Sequence, residues 1–432
     1  MAFCRDCGKS VEADWKFCPN CNASQQSSVS SINESGVIIG DVTVNNLHDI
    51  KEAMKHSVTS INESGIIVGD VKVNNLHEIK EALKQVLGEM GFTKNSSPEE
   101  LTLEQTQQVE EVLVISEQLV EHGIEIDPWT EITLGNAAEL AGRTNTAQQY
   151  YLRALSTFRK NGDRQGEADS LNNLGIIAKI RGDLAEAERL YRESLAIKRE
   201  IGDRKGESDS MHNLGSIAGT RHDLVEAERL YRESLAIRRE IGDLQGEAHS
   251  LNNLGMNVQR QCDRYPLQAT FIQRLKRRWK ISRALQFHRQ SLAIMRKIGD
   301  RGGEASSLSF LAIIAARQDK LSKSKRLHRE SLAIKREIGD RGGVAASLNN
   351  LGVIAKKQGN FAEAERLYQE SLTINREIGN LEHQVSSLHN LGRIALRNRN
   401  MQQAHRMFTE AVQIQREIGI PIDQWLFDNG YA

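Results

Sequence analysis

Between Pro128 and Gly419 one pattern is repeated seven times, mostly at a step of 40 residues. That period restricts the chain to stacked supersecondary units before any single residue is considered. The marker is a Leu-Gly pair, Leu134-Gly135, Leu174-Gly175, Leu214-Gly215, Leu254-Gly255, Leu351-Gly352 and Leu391-Gly392, with Leu311-Ala312 in the fifth copy after an insertion. Twelve positions on, or 29 in the fourth copy where the insertion intervenes, stands a small residue (Ala147, Ala187, Ala227, Ala284, Ser324, Ala364, Ala404). Four further on stands an aromatic or His (Tyr151, Tyr191, Tyr231, His288, His328, Tyr368, Phe408). A small residue in such register lets one helix backbone approach another, and the ring fills the space beside it.

Helix pairs follow from the residues themselves. Leu171, Leu174, Gly175 and Ala178 recur at three and four positions, one face of a helix. Asp183 opens a second helix with a stripe of Leu184, Ala187, Leu190, Tyr191, Ser194, Ile197 and Ile201. Glu188 with Arg192 and Arg189 with Glu193 form i,i+4 ion pairs on its outer face, a solvated surface and not acid/base machinery. The recurrent Ile-Gly-Asp at 201–203, 241–243, 298–300 and 338–340 supplies Gly as a helix stop and Asp as the cap of the next helix.

This constellation resembles the tetratricopeptide repeat, and Leu-Asn-Asn-Leu-Gly with a long second helix is most similar to the kinesin light chain type. The first helix departs from the family's pattern, with Leu171, Met211, Leu251, Leu308, Leu348 and Leu388 where the first signature aromatic belongs. The resemblance implies a mainly α fold, a right-handed α-solenoid of about seven helix pairs over 128–419, with an insertion at 262–279. Composition agrees: 5 prolines in 432 residues and 5% aromatics do not suit sandwiches or barrels. The formal net charge of zero gives no global field toward nucleic acid or anionic membrane. No apolar run approaches the ~20 residues of a membrane span, and no leader follows Met1, so a cytoplasmic protein is expected.

Four of the five cysteines form Cys4-Arg-Asp-Cys7 and Cys18-Pro-Asn-Cys21. Two CxxC pairs at this distance present four thiolates tetrahedrally, the arrangement Zn2+ prefers; four Cys ligands leave no open position for catalysis. Residues 1–22 resemble a short zinc ribbon whose structural Zn2+ supplies its folding energy. Two disulfides would need an exported protein. A second duplication fills 31–88, where Ser31 to Lys55 returns 29 residues later as Ser60 to Lys84. Each copy reads as a β stretch (37–44, 66–73) with a Gly-Asp turn and then an amphipathic helix, and self-association through these strands is expected. His48 and His77 fall at equivalent helix-surface positions.

Residues 98–127 are read as a helix covering the first repeat, beginning at Ser97-Pro98-Glu99-Glu100 and carrying Leu103, Val109, Leu113 and Leu119. Residues 420–432, with Trp425, Leu426 and Phe427, are a cap over the last helix or a tail for a partner.

In a tetratricopeptide superhelix the first helix of each pair lines the concave surface. Two positions before each repeat glycine stand Thr133, Asn173, Asn213, Asn253, Phe310, Asn350 and Asn390, and a row of Asn can hydrogen-bond the main chain of an extended peptide. Arg260, Arg317, Lys356, Lys357, Arg393 and Arg397 make the C-terminal part of that surface basic, suited to an acidic or phosphorylated peptide. The expected site is therefore Asn173, Asn213, Asn253, Asn350, Asn390, Arg393 and Arg397. In the fourth repeat the turn between the two helices swells by about 17 residues carrying Tyr265, Pro266, Phe271, Arg274, Lys276, Arg277 and Arg278, either a docking helix for an acidic partner or RNA or a neutral insertion on a loop, while Cys262 is a stray thiol. No phosphate loop, nucleophile elbow or His-Glu metal motif is present. The reading is a non-catalytic adaptor holding a protein or peptide partner in its groove. The alternative is a nucleic-acid-binding regulator built on the zinc ribbon.

Overall fold

The computed structural model describes residues 2–3, 10–11, 58–62, 65–68, 71–73, 76–92, 101–121, 125–263, 270–422, 424–428 and 430–431. They fall into two compact units, Met1–Ile197 and Lys198–Ala432.

In the first unit β1 (Ala2–Phe3) pairs antiparallel with β2 (Ser10–Val11). The second copy of the duplication forms a three-stranded antiparallel sheet of β3 (Val58–Asn62), β4 (Gly65–Val68) and β5 (Val71–Val73) in sequence order. The first-copy stretch 37–44, and with it any pairing between the copies, lies outside the described residues. Helix α1 (Leu76–Glu89) follows and buries Leu83 and Leu87. Helix α2 (Leu103–Glu121) starts later than expected: Thr102 and Gln105 cap it reciprocally, backbone N–H to side chain, at 2.9 and 3.1 Å. Residues 93–100, including the expected start, lie outside the description. Val109, Val112, Leu113, Ile115 and Leu119 are its buried face.

Two helix pairs complete this unit: α3 (Pro128–Leu140) with α4 (Thr144–Asn161), and α5 (Arg164–Ile180) with α6 (Leu184–Glu200), whose last three residues belong to the second unit. Ser116 of α2 shares a 2.5 Å hydrogen bond with Tyr150 of α4, which ties the preceding helix to the first pair. Ile201 departs from its expected stripe: it lies beyond the end of α6 and is exposed, because the chain has already left the helix.

The second unit stacks five more pairs. They are α7 (Arg204–Thr220) with α8 (Leu224–Glu240), α9 (Leu244–Asp263) with α10 (Phe271–Ile298), α11 (Arg301–Arg317) with α12 (Leu321–Glu337), α13 (Arg341–Lys357) with α14 (Phe361–Glu377), and α15 (Leu381–Arg397) with α16 (Met401–Glu417). Seven pairs in all make a mainly α, solenoid-type architecture. Helix α17 (Gln424–Asp428) then folds back so that Leu426 is buried with Ala395, Ala404, Phe408 and Val412, while Trp425 and Phe427 stay partly exposed.

Each joint is set locally. Gly202 and Gly242 take φ of 73°, and Asp203 and Asp243 accept the backbone N–H three residues on at 2.9 Å. In the six pairs that carry it the repeat glycine abuts the ring: a Cβ on Gly175 would lie 2.7 Å from Tyr191, and one on Gly352 2.6 Å from Tyr368. Ser194, Ser234, Ser331 and Ser371, fully buried on second helices, donate to the carbonyls of Ala168, Ser208, Ala305 and Ala345 at 2.7–2.9 Å, which satisfies polar groups the core would otherwise penalise.

Candidate peptide-binding groove

Apolar spacing turns one face of each first helix into its pair, and the positions two before the repeat glycine fall beside that face. Asn173, Asn213, Asn253, Asn350 and Asn390 are all half-buried there. Three of them also bind the preceding first helix. In the first unit Asn173 donates to Asn136 at 3.2 Å. In the second, Asn253 meets the His212 ring nitrogen at 2.8 Å, and Asn390 donates to Asn349 at 3.2 Å. These amides therefore knit neighbouring helices as well as lining a surface, a second role not visible from their spacing. Thr133 is buried and bonds the Trp129 carbonyl, and Phe310 stacks on His288 at 5.0 Å, so neither extends the amide row.

The last two repeats gather the expected cations unevenly. Lys356 on α13 donates to Asn390 at 3.3 Å on α15. Burial, reinforced by Arg393 and Lys357, holds its ammonium below the ordinary lysine value. That is a cation among cations. Arg393 is exposed beside it, whereas Arg397 lies over the Phe361 ring at 3.4 Å and is held at the start of α14. Arg260 reaches the Gly219 carbonyl at 3.4 Å. The grouping of Asn349, Asn390, Lys356 and Arg393 on two adjacent first helices is the most coherent part of the candidate groove: amides next to positive charge that, among the described residues, no carboxylate ion pair offsets.

Sequence spacing also missed a buried polar network in the fourth repeat. His288 stands where four of the other repeats have Tyr, bonded to Asn252 at 3.0 Å and Gln259 at 2.8 Å, with Asn252 reaching Ser307 at 3.1 Å. Gln259 donating to Nε2 leaves the proton on Nδ1, facing the Asn252 oxygen, so both neighbours suit the neutral ring. Burial pushes its pKa down to about 3, and that of His328 to about 4. The signal lay in the paired departures Gln259 and His288, each unremarkable alone, set against an Asn252 shared with other repeats.

The insertion expected as a swollen turn lengthens helices instead. Cys262 occupies the position at which three other repeats have a left-handed glycine (Gly142, Gly182, Gly359), and α9 continues through it to Asp263; α10 then begins at Phe271. Residues 264–269 lie outside the described residues, as do Cys4, Cys7, Cys18 and Cys21. Among the described residues no cluster of His, Cys, Asp or Glu could hold a metal, and no helix is long and apolar enough to cross a membrane.

Family models for tetratricopeptide repeats match residues 128–200, 208–241 and 343–417, and a zinc-ribbon domain model matches 3–25. The curated proteins contain no match. Among solved structures, aspartyl phosphate phosphatase F from Bacillus subtilis is 10% identical, covering 80% of this chain and 83% of that one at a TM-score of 0.53. The apo form of RapI is 14% identical, covering 68% and 98% at a TM-score of 0.52. Nearly identical TPR-like repeats named for a kinesin light chain of Podosopora anserina are 18% identical, covering 49% and 95% at a TM-score of 0.37. At these identities the first two likenesses are of fold alone.

Proposed function

We propose, from the premise that this chain carries tetratricopeptide repeats of the kinesin light chain type behind a zinc-ribbon segment, that it is a non-catalytic cytoplasmic adaptor holding an acidic, extended peptide of a partner protein. One observation carries this reading: Lys356, half-buried and flanked by Arg393 and Lys357, gives the last two repeats a positive site with the Asn349 and Asn390 amides beside it. An anionic side chain would neutralise that site while the amides bond its main chain. Affinity on the order of micromolar fits a peptide that must be ordered on binding.

Cys4, Cys7, Cys18 and Cys21 hold a structural Zn2+ in this reading, supported by the zinc-ribbon match over 3–25. Among the described residues β3 and β5 each pair on one side only, with β4, which supports 31–88 as the segment for self-association.

The test is fluorescence anisotropy of a labelled, extended Glu-rich 12-residue peptide with the full chain and with Lys356→Glu/Arg393→Glu. Binding weakened at least tenfold in the variant, with a shallower salt dependence, is the expected result. Equal affinity for both proteins, or preference for a Lys-rich peptide, overturns the groove.

A further inference from the structure

Residues 271–280 extend α10 by almost three turns, about 15 Å, before its first position equivalent to Leu224 of α8, namely Ile281. On this stretch Phe271, Ile272, Leu275 and Trp279 are 75%, 64%, 48% and 59% exposed. At about 100° per residue, Phe271, Leu275 and Trp279 lie 140–180° around the helix from Ala284, which is wholly buried in the array. The stripe therefore faces away from the core of its own helix. It spans an arc of about 100°, with Arg274 and Arg278 along one edge and Lys276 and Lys280 along the other. From 264 to 299 the chain has no Asp or Glu.

The stretch is also preformed. Thr270 and Gln273 make a reciprocal capping box at its start, and at its base Trp279 lies under the Arg283 guanidinium at 4.6 Å, itself bonded to Glu228 of α8 at 2.9 Å. A rigid helix with a narrow apolar seam and cationic edges has one well-matched occupant. A lipid surface favours a broad apolar arc, and a nucleic acid gains no stacking from the aliphatic Ile272 and Leu275 of the seam. A second copy would set two all-cationic edges against each other.

We propose that residues 271–280 are a docking helix for an acidic amphipathic helix of a partner protein, packed seam to seam with its carboxylates on the Arg and Lys edges. This site is separate from the groove of the last two repeats and stands without it. The probe is a labelled synthetic 21-residue helix with Leu at heptad positions a and d and Glu at e and g, titrated into the full chain. Phe271→Ala/Leu275→Ala and Lys276→Glu/Arg277→Glu/Arg278→Glu should each weaken binding at least tenfold with unchanged circular dichroism, while Lys356→Glu/Arg393→Glu leaves it unaltered. Overturning results are equal binding by wild type and both extension variants, equal binding of the Lys-flanked version of the peptide, or binding confined to phosphatidylserine vesicles or a single-stranded RNA 20-mer.

Discussion

Gly352 and Tyr368 offer a sharp test of how this array is held together, because two physical effects of opposite sign meet at one atom. Gly352→Ala in mid-helix should stabilise α13 by about 1 kcal/mol from propensity alone. The added Cβ, however, would stand 2.6 Å from Tyr368 Cε1 and 2.8 Å from Cδ1, where carbon atoms need about 3.5 Å or more. Tyr368 is fully buried among Leu348, Leu351, Leu367 and Leu372, so its ring has nowhere to go. Overpacking of this kind costs about 1–3 kcal/mol, so the net expectation is destabilisation by up to about 2 kcal/mol. Gly342 of the same helix is the control. A Cβ there meets nothing nearer than 3.8 Å, and Gly342→Ala should be neutral or stabilising. At the equivalent positions the fifth repeat carries Ala312 and the smaller His328, both buried. Gly352→Ala/Tyr368→His should therefore recover part of the loss, with a coupling energy of about 1 kcal/mol in a double-mutant cycle by denaturant unfolding. If Gly352→Ala raises stability as much as Gly342→Ala does, the close-packing argument for all seven repeats is wrong.

Three other outcomes are expected. His288 and His328 are kept neutral by burial, so stability is complete above the unfolded imidazole value near pH 6.5 and falls as pH drops from there toward their folded values of about 3 and about 4. Between pH 7 and pH 5 that amounts to about 2 kcal/mol for each ring, and His288→Gln/His328→Gln should flatten the slope of denaturation midpoint against pH; an unchanged slope removes the explanation. Purified protein should carry about one zinc per chain by elemental analysis, and Cys4→Ser/Cys18→Ser should abolish it without altering the melting of the helical array. Leu426→Ala should destabilise the C-terminal end by about 2–5 kcal/mol, seen as faster amide exchange in α15 and α16, since Leu426 is buried against Ala395 and Phe408.

Much of the fold was legible because its signals are local and repeated. The Leu-Gly register, the small residue and the ring mark three fixed points of contact per repeat, and Ile-Gly-Asp marks the joint. The candidate site was legible only in part. Spacing placed Asn253 and Asn390 on the correct helices, but their bonds to His212 and Asn349 join residues 41 positions apart, and no single-helix pattern carries that information. The same holds for Lys356: its depressed ammonium depends on Arg393 from another helix and on the depth of burial.

The insertion shows where local reading stops. Charge and aromatic content marked 262–279 as exceptional, yet a long loop and a longer helix have the same composition. Helix α9 continues past Cys262, although at the equivalent position His222, Asp319 and Arg399 take the left-handed stop at φ near 60° without being glycine. Whether a residue accepts that strain, roughly 1–2 kcal/mol, depends on the packing that follows it. The sequence by itself determined the unit, its period and its joints, because those rest on contacts within one turn or one pair. Tertiary structure decided which amides bond their neighbours, which cation is half-buried and which apolar stripe faces outward, because each depends on a surface supplied by a distant part of the chain.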